Sequence, residues 1–106
     1  MIAHAHAGID RQNLEHDRAT AAALRRHPQL VAVARANLQR WVTHCGAKVH
    51  PALAEWRDIM SMLTVEQLAD FIESDTPKAN RLRQSSPFVG ILRREAELFP
   101  DATPAT

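Results

Sequence analysis

Two histidine groupings are the first residues in this chain whose types and spacing could do chemistry. His4-Ala-His6 has the spacing of a weak chelate, and His44, Cys45 and His50 gather where a helix should end, offering three zinc ligands. No fourth ligand stands at motif spacing, so the sequence predicts no metal site, and these side chains read as helix-end and surface groups. Nucleophilic catalysis needs a Ser or Cys beside a base on a strained turn. Ser85 and Ser86 instead precede Pro87 in a stretch that reads as a loop, and no Gly-x-Ser-x-Gly occurs. Gly8, Gly46 and Gly90 are isolated, which leaves no phosphate-cradling loop. Glu66, Asp70 and Glu73 recur at helical spacing, the pattern of a solvated face rather than of a general acid and base. The residues therefore nominate no catalytic group and no cofactor, and the chain reads as a non-enzyme.

Arginine carries what chemistry remains. The net charge is +1, yet the charges are sorted along the chain. Arg18, Arg25, Arg26, Arg35, Arg40 and Lys48 follow one another with no acid between them; Glu55, Asp58, Glu66, Asp70, Glu73 and Asp75 follow with only Arg57 against them; Lys78, Arg81, Arg83, Arg93 and Arg94 close the series. Such blocks either neutralise each other within the fold or leave basic faces for an acidic partner. One such face would be Arg25, Arg26, Arg35 and Arg40, which could meet the phosphates of a nucleic acid. The third and fourth helices have the lengths of a helix-turn-helix, but their acidic polar residues would repel DNA.

These residues need helices to position them. A chain of 106 residues with 45% hydrophobic and 24% charged residues fits one domain. Apolar spacing of three and four dominates and strand alternation is nearly absent, which predicts an all-α bundle of four to six helices over residues 10–99, with a flexible segment 1–9 and a disordered tail 100–106. The first helix, from about Asp10 to Arg26, carries few large apolar side chains and is expected to pack weakly. Pro28 and Pro51 should open the second and third helices, Gly46 should stop the second, and Thr64-Val-Glu-Gln67 has the form of a capping box opening the fourth. The expected core is Leu30, Ala34, Leu38, Trp41, Val42, Leu53, Trp56, Ile59, Leu63, Leu68, Phe71 and Ile72. No apolar run approaches a membrane span and no secretory signal is evident, so the chain is expected in the cytoplasm, and one cysteine allows no internal disulfide.

The stretch from Ser85 to Leu92 breaks the helical pattern. Pro87 and Gly90 predict a non-helical segment carrying Phe88, Val89, Ile91 and Leu92 between flanking arginines, with a last helix from about Arg93 to Phe99. Four apolar residues there either close the bundle's own core or form an anchor set for another protein. Leu82-Arg83-Gln84-Ser85-Ser86-Pro87-Phe88-Val89-Gly90-Ile91-Leu92, with His27-Pro28-Gln29-Leu30 and Ala36-Asn37-Leu38-Gln39-Arg40-Trp41, resembles a group of small bacterial helical proteins associated with toxin–antitoxin operons. The resemblance spans about Arg26 to Phe99. It implies an antitoxin that binds and neutralises a cytoplasmic toxin, with Arg81, Arg83, Ser85, Ser86, Pro87, Phe88, Val89, Ile91, Leu92, Arg93 and Arg94 as the contact residues.

Overall fold

Proline and threonine at helix starts and glycine at helix ends divide the chain into short helices. The computed structural model describes the backbone of residues 2–100 and the side chains of residues 13–100. The elements are α1 (Ile2–Arg26), a 3₁₀ turn (Pro28–Leu30), α2 (Val31–Cys45), α3 (Pro51–Met62), α4 (Val65–Ile72), α5 (Pro77–Arg83) and α6 (Ile91–Leu98). The described residues contain no strand, as the all-α expectation requires. No described helix is long and apolar enough to cross a membrane. The expected tail lies, from residue 101, outside the described residues.

The local signals act largely as the sequence predicts. Pro28 opens a 3₁₀ turn that runs straight into α2, and Gly46 ends α2 at φ 65°, where a side chain would be strained. His50 caps α3 through Nδ1, which accepts from the Ala52 N–H at 3.1 Å. Thr64 and Gln67 form the reciprocal box on α4: Thr64 Oγ1 accepts from the Gln67 N–H at 3.1 Å, and Gln67 Oε1 accepts from the Thr64 N–H at 2.9 Å. Thr64→Ala is accordingly expected to cost about 1 kcal/mol in a urea melt, and Thr64→Ser to restore it.

Two elements depart from expectation. The first helix begins at Ile2 rather than near Asp10 and packs closely instead of weakly. It makes its most extensive contact with α4 and also touches α5 and α6. Asp17, Thr20, Ala21 and Leu24 recur on one of its faces at helical spacing and are all buried, with Ala23 beside them. The small side chains let α4 approach, and the Thr20 hydroxyl is satisfied within the helix by the His16 carbonyl at 3.0 Å. The last helix begins at Ile91, because Gly90 adopts φ 81°, ψ 1° and turns the chain sharply enough for the helix to start at once.

Leu30, Ala34, Leu38, Leu53, Trp56, Leu68 and Ile72 are buried as expected, whereas Trp41, Val42, Ile59, Leu63 and Phe71 are half-buried at the edge of the core. Met60, Ala69, Leu82, Phe88 and Ile91 complete the interior. Trp56 joins α3 to the far end of the chain. Its indole N–H donates to the Leu82 carbonyl at 3.0 Å, and its ring meets Phe71 and Phe88 edge-on at 5.7 Å each.

Candidate interaction surface

Part of the sorted charge of the sequence is paired between elements of the fold. Arg25 reaches across from α1 to Glu66, Asp70 and Glu73 on α4 at 3.1, 2.5 and 2.6 Å. These hydrogen bonds push the guanidinium pKa up and hold the Glu73 carboxyl below its ordinary value. The acidic face of α4 is solvated, as expected, and is also the counterpart of one arginine. Arg26 clasps Glu95 with two bonds of 2.9 and 2.8 Å, and Glu95 is buried beneath His27, whose ring stacks on Phe99 at 3.8 Å. Arg25 and Arg26 are thus engaged with carboxylates, while Arg35 and Arg40 are exposed on α2 and stand five positions apart, on different sides of the helix. The four arginines expected to form a nucleic-acid face do not share one.

The residues expected to contact a protein partner divide the same way. Arg81 forms a two-pronged pair with Glu55 at 2.9 Å in both bonds, which lowers the Glu55 pKa and raises that of Arg81. Arg83 is an interior residue. Its side chain is 6% exposed and donates to Asp17 Oδ2 at 2.9 Å, to the Ile72 and Ser74 carbonyls at 2.8 and 2.9 Å, and to Asn80. Burial pushes the Asp17 carboxyl pKa up, and the Arg83 charge opposes that shift. Pro87, Phe88 and Ile91 are buried, so these side chains serve the core and are not presented to a partner. Ile91 and Leu92 belong to α6 and not to a non-helical segment. Ser86 Oγ accepts from the Phe88 N–H at 3.2 Å, which shapes the turn, and Ser85 is half-buried.

What remains at the surface lies together. Val89 is 52% exposed at the crest of the turn between α5 and α6. Beside it an open groove of about 580 Å³ runs between α2 and α6, with His16 of α1 at its edge. Val33, Ala36 and Leu92 supply its apolar lining and Arg40, Arg93 and Arg94 its charge. Among the described residues Arg40 and Arg94 have no carboxylate partner, and Arg93 has only Glu97 of its own helix at 3.9 Å. The groove therefore combines Arg40 of the expected nucleic-acid set with Val89, Leu92, Arg93 and Arg94 of the expected protein-contact set.

Asn37 organises this surface, and its role was not read from the sequence. It is 6% exposed; its amide N–H₂ donates to the Pro87 and Val89 carbonyls at 2.8 and 3.1 Å, and its oxygen accepts from Arg40 Nη2 at 2.5 Å. One side chain thus fixes the turn and aims the arginine. The available signal was a polar residue set between Ala34 and Leu38 on an otherwise apolar stripe.

The grouping of His44, Cys45 and His50 forms no comparable cluster. His50 is a cap, His44 is exposed and Cys45 half-buried, while the side chains of His4 and His6 lie outside the described residues. No group of three His, Cys, Asp or Glu side chains among the described residues is placed to hold a metal ion. No family model, curated protein or solved structure matches the chain.

Proposed function

We propose that this chain is a protein-binding partner that acts through the surface around Val89, and that its target is a cytoplasmic bacterial toxin which it neutralises by direct complex formation. The observation that carries the binding role is the grouping of Arg40, Arg93 and Arg94 around exposed Val89, while Arg25, Arg26, Arg81 and Arg83 are satisfied within the fold. An exposed apolar residue beside cations that make no ion pair with another helix resembles the anchor-and-rim arrangement of protein interfaces. The toxin as partner rests on the resemblance of the Arg26–Phe99 sequence to small bacterial helical proteins associated with toxin–antitoxin operons. A nucleic-acid role gains nothing from the arrangement of Arg25, Arg26, Arg35 and Arg40, because the first two are paired with carboxylates and the last two stand on different sides of α2.

Co-expression with the product of the adjacent gene tests the reading. That product alone is expected to arrest growth, and this chain to relieve the arrest and co-purify with it. Val89→Asp should weaken the complex about 30-fold while leaving Tm unchanged, since the side chain points to solvent in the free protein. A complex indifferent to Val89→Asp would place the contact elsewhere and defeat the assignment.

A further inference from the structure

We infer that the groove between α2 and α6 seats an acidic segment of the partner protein, anchored by an apolar side chain against Val89 and Leu92 and held by carboxylates on Arg40, Arg93 and Arg94. The inference rests on the protein-binding role proposed above and adds the chemistry of what is bound.

Charge selects the sign of the occupant. Arg40, Arg93 and Arg94 line the groove, and Glu97 is the only acid lining it among the described residues. Gly90 at the lip gives α6 no side-chain cap, so the positive end of that helix lies on the same side. Arg40 is already oriented by Asn37, which lowers the entropy lost when it takes a ligand carboxylate. Guanidinium forks match carboxylates and phosphates alike, so the lining must decide between peptide and nucleic acid. Val33, Ala36, Val89 and Leu92 are aliphatic, and among the described lining residues the one ring is His16 at the edge, which offers no series of stacking platforms. Three arginines on one short groove also fall short of the track that follows a phosphate backbone. An aliphatic lining inside a basic rim suits a peptide that alternates acidic and branched apolar residues.

The test measures binding of fluorescein-labelled peptides to the full chain by anisotropy. The probes are an alternating Glu-Leu peptide, its Lys-Leu counterpart and single-stranded oligodeoxythymidylate. The Glu-Leu peptide is expected to bind, with affinity falling as salt rises, and the Lys-Leu peptide to fail. Arg94→Glu and Arg40→Glu should each weaken binding about fivefold. Glu97→Gln should tighten it about twofold, a gain that damage to the fold cannot imitate. Absence of Glu-Leu binding at millimolar concentration, or binding indifferent to all three substitutions, overturns the inference. Tighter binding of the oligonucleotide, lost in the same two arginine variants, overturns it in favour of nucleic acid. The functional reading fails separately. If Val89→Asp breaks the cognate complex but the Glu-Leu peptide does not bind, the acidic segment falls and the binding role stands; if the peptide obeys the charge changes while the complex ignores Val89→Asp, the reverse holds.

Discussion

Replacing Arg83 by Met is expected to destabilise the protein by about 3–5 kcal/mol, the range for breaking a buried ion pair from one side. Against a total stability of roughly 5–15 kcal/mol, that loss would leave a variant close to unfolding. The guanidinium closes α1, the end of α4 and α5 onto one another through Asp17, the Ile72 and Ser74 carbonyls and Asn80. Methionine fills much of the volume but donates nothing, so the Asp17 carboxylate is left buried and two carbonyls lose their donors. The variant should also show an altered pH dependence. Burial already raises the Asp17 pKa, and removing the opposing cation raises it further. The folded variant then holds a proton that the unfolded chain releases, so its stability rises as pH falls toward the ordinary carboxylate range. The deficit against the parent protein should therefore shrink in acid. Asp17→Asn on top of Arg83→Met should recover part of the loss at neutral pH. A deficit that is independent of pH, or below 1 kcal/mol, would mean that water replaces the guanidinium.

Phe88→Ala is expected to cost about 3–5 kcal/mol, read as a lower urea midpoint with an unchanged slope. The ring is 2% exposed and lies edge-on to Trp56, so its removal opens a cavity next to the largest side chain in the core. The neighbouring Val89→Asp should leave stability untouched. The pair of variants separates two roles that adjacent residues hold within one turn: Phe88 holds the turn down, and Val89 is what it displays. A folded Phe88→Ala protein of full stability that failed to bind would reverse those roles.

Much of the fold was legible because its signals are local. Pro28, Gly46, Pro51 and the Thr64–Gln67 box act within a turn or two of their own positions, and each appears where the spacing puts it. The close packing of α1 is hidden in the sequence because most of its buried side chains are small. Thr20, Ala21 and Ala23 bury little area each, yet they bring α1 and α4 close. The start of α6 is hidden because a glycine after Pro87 reads as irregular chain, whereas the positive φ of Gly90 ends the irregular stretch. Arg83 was unreadable for a different reason: its partner Asp17 is 66 positions away, and nothing local distinguishes an interior arginine from a surface one. The Glu66, Asp70 and Glu73 stripe was visible, but its meaning depended on Arg25 meeting it from another helix. At the candidate site, Val89, Leu92, Arg93 and Arg94 were identified by their flanking pattern, whereas the contribution of α2 through Asn37 and Arg40 emerges only when the helices are assembled.

The central position of α1 also bears on how the molecule is made. Synthesis proceeds from the N-terminus, so α1 leaves the ribosome before any of the elements that bury it. Arg25 waits for α4, Asp17 for Arg83, and Arg26 for Glu95. The nascent chain therefore carries α1 without its main neighbour until α4 (Val65–Ile72) has been added, and the ties to Arg83 and Glu95 close later still. Within this domain, folding has little to gain from the order of translation.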